Sequence, residues 1–368
     1  MPERNVSSTL LLILVVIAVG AVLYLTAGIV LPLVIAVLLS YVLSPIVDYM
    51  RRIGLPRGLS VVLVILLLIG FGVLVGLVFY TSVQSLVRRF PVYQARFLEL
   101  LEEFSEFANL PDGIENELNL TQNISSLVFS LSGGIAEFLG NFMMMLLFVM
   151  FILFEKPYLR TKMMQALQGP RTDRISRVFA GINSQVARYL SVKLVISTMT
   201  SVSVYLSFSI IGVDFAFIWA ILTFLFNFIP SIGSIAISVL SYIFVVLQFA
   251  PNWPPVIAAV ASMTVIQFVI GNVLDPKMQG DSLNLSPVII LFSLLFWGWL
   301  WGIAGAFLAV PLTVTLKIVF ENIPGMEWIS ILMGTGSYRE KKQTVRPGFR
   351  RSLHQTQSPS PQEGTNQT

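Results

Sequence analysis

Five polar side chains interrupt the apolar stretches in the second half of the chain, where a membrane helix ordinarily carries none. They are Asn227, Ser231, Ser234, Asn272 and Asp275. Amides and hydroxyls donate and accept hydrogen bonds, and a carboxylate can also take a proton or a cation. Polar groups at membrane depth are costly and tend to be functional. We therefore predict that these five residues bind a small polar solute, with H+ or Na+ as a possible coupling ion.

Two of these residues have an alternative structural role. Asn227 could hydrogen-bond a neighbouring helix, as polar residues in membrane helices often do. Asp275 could cap the next element or pair with Lys277. Proline disfavours helical backbone at the residue before it, so Pro276 predicts a helix boundary at Asp275.

Several other chemistries are disfavoured by the residues that the sequence lacks. It has no Cys and a single His, His354, in a polar tail, which argues against disulfides, thiolate metal sites and most histidine-dependent catalysis. Neither the nucleotide-binding G-x-x-x-x-G-K-[ST] motif nor H-E-x-x-H occurs. We expect no enzyme activity, no cofactor, no metal and no nucleic-acid partner, and any active transport would have to use an ion gradient.

The composition is that of a membrane protein. Of the 368 residues, 55% are hydrophobic and only 11% are charged, whereas soluble domains carry roughly a quarter charged residues. We predict an all-α, polytopic protein with about 7–8 spans in the lipid bilayer. The first candidate spans lie at about 7–26, 28–47, 59–81, 135–155 and 193–212, and a more broken region, 214–321, follows.

Two apolar stretches of the broken region are too long for one straight crossing. Residues 214–249 would form a helix of about 54 Å, against a hydrocarbon core of about 30 Å. They must fold back, and Pro230 to Gly233 within "NFIPSIGS" is the predicted turn. Residues 286–320 have the same form around "GWLWGIAG", which contains Gly302. Two hairpins flanking a single crossing at 256–274 are the pattern that marks a transporter binding site.

The charges predict how the chain is oriented. Basic residues concentrate in the loop 51–57, in the segment 156–193 and in the tail, whereas 82–134 is acidic. By the positive-inside rule the basic parts and both termini are cytoplasmic. The resulting segments are an N-terminal scaffold (1–81), an extracytoplasmic helical segment (82–134), spans with a basic loop and an amphipathic helix (135–212), a two-hairpin transport region (213–325) and a disordered tail (334–368).

One stripe of apolar residues lies within the acidic segment. Its members recur at spacings of 4, 3, 4 and 3 residues, which is typical of one face of a helix. They are Tyr93, Phe97, Leu100, Phe104 and Phe107. The helix could lie on the membrane part of its own chain, or it could form the subunit contact of a homo-oligomer.

Three motifs resemble those of a known family. They are "LPLVIAVLLSYVLSPIVDYMRRIGLPRG" in the first half, "FNFIPSIGSIAI" at 226–237 and "GNVLDPKMQGDSLNLSPVIILFSLLFWGWLWGIAGAFLAVPLTVTLKI" at 271–318. Their order and spacing resemble the autoinducer-2 exporter family of bacterial membrane permeases, over roughly residues 10–325. The resemblance implies an oligomeric inner-membrane protein with seven or eight spans. It also implies export of the quorum-sensing furanone autoinducer-2, or in some members sodium/proton antiport.

The resemblance also carries over single positions. Those expected to break or hinge the helices are Pro230, Gly233, Pro276, Gly280, Gly302, Gly305 and Pro311. The chain departs from the family at three places: Asp275 stands where Glu is usual, Ser234 where Pro is frequent, and Ser286 where His is frequent. These departures concern substrate and coupling ion more than architecture.

Three hypotheses follow. The first is a secondary transporter that exports a small polar solute, such as autoinducer-2. The second is a sodium/proton antiporter with Asp275 as its titrating carboxylate. The third is a non-transporting oligomeric scaffold that recruits partners through the stripe at 92–107 and the basic tail.

The predicted orientation can be tested by cysteine labelling, because the native chain contains no Cys. A cysteine introduced by Asp112→Cys should react with a membrane-impermeant thiol reagent added to intact cells. Labelling of this position only from the cytoplasmic side would contradict the topology.

Overall fold

The protein is described by a computed structural model that covers residues 3–108, 139–158, 170–279 and 284–335, together with 162 and 165. Over these residues the secondary structure is helical and contains no strand. Seven helices in this part of the chain are long and apolar enough to cross a membrane, judged by length and composition. The prediction of an all-α polytopic protein is confirmed. Gly280, residues 109–134 and the tail beyond 335 lie outside the described residues.

The described residues form eleven helices. They are α1 (Glu3–Leu25), α2 (Ala27–Arg52), α3 (Arg57–Ala108), α4 (Leu139–Tyr158), α5 (Pro170–Ile211), α6 (Ala216–Phe226), α7 (Ile232–Phe249), α8 (Trp253–Phe268), α9 (Asp275–Gln279), α10 (Pro287–Asn322) and α11 (Glu327–Met333). A π-helical segment, Val269–Leu274, joins α8 to α9.

Two of these helices are longer than the sequence pattern predicts. Helix α3 joins the predicted span at 59–81 to the stripe-bearing helix, and α5 joins the predicted amphipathic helix to the span at 193–212. No proline lies between residues 171 and 211, so nothing in the backbone chemistry ends α5 between its two halves. Lys193 therefore lies inside a continuous helix and not at a loop boundary.

The first predicted hairpin is confirmed, with α6 and α7 as its arms. Ser231 at the turn adopts φ 59°, and a Cβ on Gly233 would overlap the carbonyl oxygen of Phe226. At the open end, the Gln248 side chain accepts from the backbone N–H of Asp214 (2.8 Å) and donates to the carbonyl of Gly212 (2.9 Å). The two ends therefore meet, and the chain folds back at the predicted turn.

Helix α10 is the second predicted hairpin. Its backbone leaves the helical region at Trp301 and at Gly302, where φ is 64°. The hydroxyl of Ser293 donates to the carbonyl of Ala309 at 3.0 Å and lies 2.6 Å from the hydroxyl of Thr313. In a straight helix, residues 293 and 313 would be about 30 Å apart, so the two halves of α10 lie side by side.

The tips of the two hairpins meet inside the protein. Ile229, at the turn of the first, packs in one apolar cluster with Leu294 and Trp297 of the second, and the rings of Phe228 and Phe307 are 6.3 Å apart. Helix α5 runs past this junction and packs against α2, α6, α8, α9 and α10. The long helix α5 is thus the element on which both halves of the C-terminal region converge.

The helix does not end at Pro311, one of the positions expected to break or hinge the helices. Pro311 is buried inside the second arm of α10, and the helix continues to Asn322, so a hinge there stays a prediction. Proline is tolerated within membrane helices where neighbouring groups satisfy the freed backbone.

Close backbone approach inside the second hairpin gives a stability prediction. A Cβ on Gly305 would overlap the carbonyl oxygen of Trp297, whereas a Cβ on Gly298 would meet its nearest neighbour, Ala306, at an ordinary 3.8 Å. Gly305→Ala should therefore lower stability by about 1–3 kcal/mol through overpacking, and Gly298→Ala should not. The melting temperature in detergent measures both. Equal melting temperatures for the two variants would contradict the hairpin geometry.

Candidate functional site

The face of α5 that packs against the hairpins carries polar side chains among apolar ones. Lys193 is 3% exposed and Ser197 is fully buried. Residues three and four apart share one face of a helix, and the buried residues of α5 follow that spacing: Val186, Tyr189, Leu190, Lys193, Ile196, Ser197, Thr200, Val204 and Phe208. The helix thus places an ammonium group and hydroxyls in the interior of the protein.

The buried Lys193 forms an ion pair with Asp275, which is largely covered by the protein. The Lys193 ammonium donates to Oδ2 of Asp275 at 2.9 Å, and the two side chains are 4% and 17% exposed. The amide of Gln279 donates to the other carboxylate oxygen. Attraction between charges is strong where water is scarce, and removing either partner would leave an uncompensated buried charge.

The π-helical segment presents Asp275 to α5, and a new α-helical segment begins at Asp275. Asp275 has helical dihedrals (φ −58°, ψ −51°) despite the proline after it. We attribute this to the wider turn of Val269–Leu274, which accommodates Pro276 without ending the helix. Single π turns inside helices occur frequently at functional sites.

Asn227 binds the next turn of the same face of α5. Its amide nitrogen donates to the hydroxyl of Ser197 at 3.1 Å, and both side chains are buried. Ser197 follows Lys193 by four residues, about 6 Å along the helix. The tip of the first hairpin and the carboxylate of α9 therefore dock on adjacent turns of α5. We call Lys193, Ser197, Asn227 and Asp275 the α5 site.

The structure places the other predicted solute ligands differently. Ser231 and Asn272 are exposed. Ser234 is half-buried, and its carbonyl accepts a hydrogen bond from the Ser238 hydroxyl at 2.8 Å. Two of the five predicted residues are thus brought together on α5, and Ser231 and Asn272 lie on the surface.

Sequence reasoning missed Lys193 and Ser197. The charge pattern groups Lys193 with the basic cytoplasmic residues before it. Lys277, the alternative partner predicted for Asp275, is exposed. The available signal is the spacing of Tyr189, Lys193 and Ser197, four residues apart on a face that is mostly apolar.

The far end of the first hairpin is tied to α3. The side chains of Arg89 and Tyr93 both donate to Oδ2 of Asp214, at 2.5 and 2.6 Å, and Arg96 donates to the carbonyl of Ala250. The ring of Tyr93 also packs on Phe244, with centroids 5.2 Å apart. We call this end the hairpin base.

Tyr93 therefore contacts its own chain. At this residue, that favours a helix lying on the membrane helices of the same chain over a subunit contact. Phe97 and Leu100 of the same stripe are half-buried. The side chains of Phe104 and Phe107 lie outside the described residues.

This architecture is typical of one class of membrane protein. Paired, interrupted membrane helices with polar side chains at the breaks are found in many transporters.

Comparison with known proteins agrees with that class. Residues 11–325 match the AI-2E family transporter, and the chain belongs to this family. It is 32% identical over 290 residues to a candidate transport protein of Borreliella burgdorferi, covering 79% of this chain and 80% of the relative. It is also 31% identical over 340 residues to the candidate transport protein YhhT of Escherichia coli K12, covering 91% and 96%.

A further relative has a named substrate. The chain is 30% identical over 296 residues to TqsA of Escherichia coli K12, described as an AI-2 transport protein, covering 79% of this chain and 85% of the relative. The protein is thus a multi-pass membrane transporter of the AI-2E family.

The buried ion pair gives a second stability prediction. Lys193→Met should destabilise the protein by up to about 3–5 kcal/mol, because it leaves the largely covered Asp275 carboxylate without its ammonium partner. The double variant Lys193→Met/Asp275→Leu should recover much of that loss. Thermal unfolding in detergent measures both.

Lys277→Met is the matched control, since Lys277 is exposed and exposed substitutions change stability by about 0.5 kcal/mol or less. If Lys193→Met and Lys277→Met have the same melting temperature, the ion pair between Lys193 and Asp275 does not stabilise the folded state as described.

Proposed function

We propose that the protein is a secondary transporter that exports a small polar solute, with autoinducer-2 as the first candidate. The observation that carries the proposal is the α5 site, where the tip of a broken helix and a carboxylate dock on adjacent turns of one helix. The similarity to TqsA, an AI-2 transport protein, supports the choice of solute.

The chemistry of the α5 site suits a polyhydroxylated molecule. An ammonium group donates, a carboxylate accepts, and an amide and a hydroxyl do both. A solute hydroxyl can replace Lys193 as the donor to Asp275, while solute oxygens accept from Lys193 and Asn227. When the internal hydrogen bonds of the α5 site break, unpaired buried groups would destabilise the protein. Hydrogen bonds to the solute offset this cost, so the solute replaces the internal partners.

Export requires the α5 site to open, and the hairpins are the elements we propose to move. They would shift against the scaffold of α1 to α4, with Gly233 and Gly302 providing the backbone turns. Ser231, Ser234 and Asn272 are proposed to contact the solute as it enters or leaves. Pro276 and Gly280 would hinge the segment that carries Asp275.

A sodium/proton antiporter is the second candidate, and one contact favours it. The Lys193 ammonium lies 2.9 Å from the Asp275 carboxylate, where a sodium ion or a proton could take its place. In that mechanism Asp275 binds the transported cation and Lys193 is its internal competitor.

We further propose that the protein lies in the inner membrane with both termini cytoplasmic and assembles as a homo-oligomer. The contact would use the part of the apolar stripe that Tyr93 does not fix to its own chain, from Phe97 onward.

Transport assays in reconstituted vesicles test the proposal. Wild-type protein should move labelled autoinducer-2, and Asn227→Ala and Asp275→Asn should each lower the rate about tenfold or more, the equivalent of losing about 1.4 kcal/mol of interaction. Asp48→Asn is the control, because Asp48 is 57% exposed and only loosely paired with Arg51. It should transport normally.

The same vesicles separate the two candidates. Sodium-driven proton flux that disappears in Asp275→Asn, without autoinducer-2 transport by the wild type, would identify an antiporter and contradict the exporter. Solute flux without sodium-driven proton flux would do the reverse.

A further inference from the structure

Two buried polar side-chain atoms in the helices around α5 have no hydrogen-bond partner among the described residues: the hydroxyl of Thr223 on α6 and the amide nitrogen of Gln267 on α8. A buried polar group without a partner destabilises the folded state, and native proteins contain few of them. Both groups therefore require an explanation.

Thr223 departs from the behaviour of other helical threonines in this chain. Four of them donate to the carbonyl four residues earlier, at 2.7–2.8 Å: Thr198, Thr200, Thr264 and Thr315. This local bond is the usual way to satisfy a hydroxyl in a membrane helix. Thr223 is fully buried and does not make it, so its hydroxyl remains free to donate and accept in the interior.

Both groups lie at a similar height along α5, because of how α6 and α8 are positioned against it. Helix α6 runs antiparallel to α5 and meets it at Asn227, and Thr223 lies one turn before that residue, about 6 Å toward the hairpin base. Helix α8 starts near the hairpin base, and Asp275 beyond it meets Lys193. Gln267 lies eight residues before Asp275, which is at most about 12 Å along the helix axis.

Both positions therefore lie level with the same part of α5, which begins about one turn beyond Ser197. Both α6 and α8 pack against α5. Leu222 and Ile266, the residues next to the two unpartnered groups, pack against one apolar cluster with Val204 of α5, which places both groups toward the hairpin base from the α5 site.

We infer that Thr223 and Gln267 form a second subsite, which binds the neutral, hydroxyl-bearing part of the solute one turn from Asn227. A hydroxyl and an amide offer hydrogen bonds without charge, so this subsite suits an uncharged solute group and not an ion. The inference rests on the proposed function, since it extends the route of the same solute toward the hairpin base.

Binding by purified protein tests the subsite. The rise in melting temperature caused by autoinducer-2, and separately by D-ribose as a simple polyhydroxylated solute, is measured for the wild type and for Thr223→Val and Gln267→Leu. The wild type should be stabilised by at least one of the two solutes. Each variant should lose at least fivefold in apparent affinity while melting no lower than the wild type without solute, because it removes an unsatisfied group.

Thr200→Val is the matched control. Thr200 is equally buried, but its hydroxyl already donates to the carbonyl of Ile196 at 2.8 Å. It should bind solute as the wild type does.

Two results would overturn the subsite. In one, solute stabilises Thr223→Val and Gln267→Leu as much as the wild type, which would mean that the two groups hold water only. In the other, neither solute stabilises the wild type. The proposed function fails by a separate result, absence of solute flux into vesicles, so the two failures can be told apart.

Discussion

The ion pair between Lys193 and Asp275 is the constraint on which the C-terminal half of the fold depends. An ammonium group 3% exposed in the middle of a long helix is tolerated only if a partner reaches it. That partner comes from 82 residues further along the chain. The π-helical segment, the antiparallel course of α8 and the packing of α9 on α5 all serve to bring the carboxylate to this position.

The two hairpins meet a different constraint, the thickness of the membrane. Apolar stretches of this length cannot cross once as straight helices, so each folds back, and each turn is built where a glycine permits a close approach or a positive φ. Their tips meet beside α5, where Asn227 binds Ser197. The length constraint thus places the irregular backbone of the turns and polar side chains in the same interior region. In this region a solute could replace the internal hydrogen-bond partners of the protein.

Local patterns in the sequence predict the class of fold, both hairpin turns and two members of the α5 site, because apolar length and polar interruptions are local features. They do not predict that α5 is continuous, because the basic residues before Lys193 resemble a cytoplasmic loop. Nor can they pair Lys193 with Asp275, since a contact across 82 residues leaves no local signature. The rule for residues before proline does not predict the helical backbone at Asp275, which follows a π-helical segment. Thr223 gave no signal, since a threonine in an apolar helix normally satisfies its own hydroxyl.

The central claim is that the buried face of α5 becomes exposed to water and solute during transport. Ser197→Cys tests it most directly, because Ser197 is fully buried, lies between Lys193 and Asn227, and would be the only cysteine in the chain. Its labelling by a charged thiol reagent is compared with and without autoinducer-2, using Ser60→Cys, equally buried on α3, as the control. The account predicts that Ser197→Cys reacts several-fold faster when solute is present, and Ser60→Cys does not. Equal, slow labelling of Ser197→Cys in both conditions would contradict it.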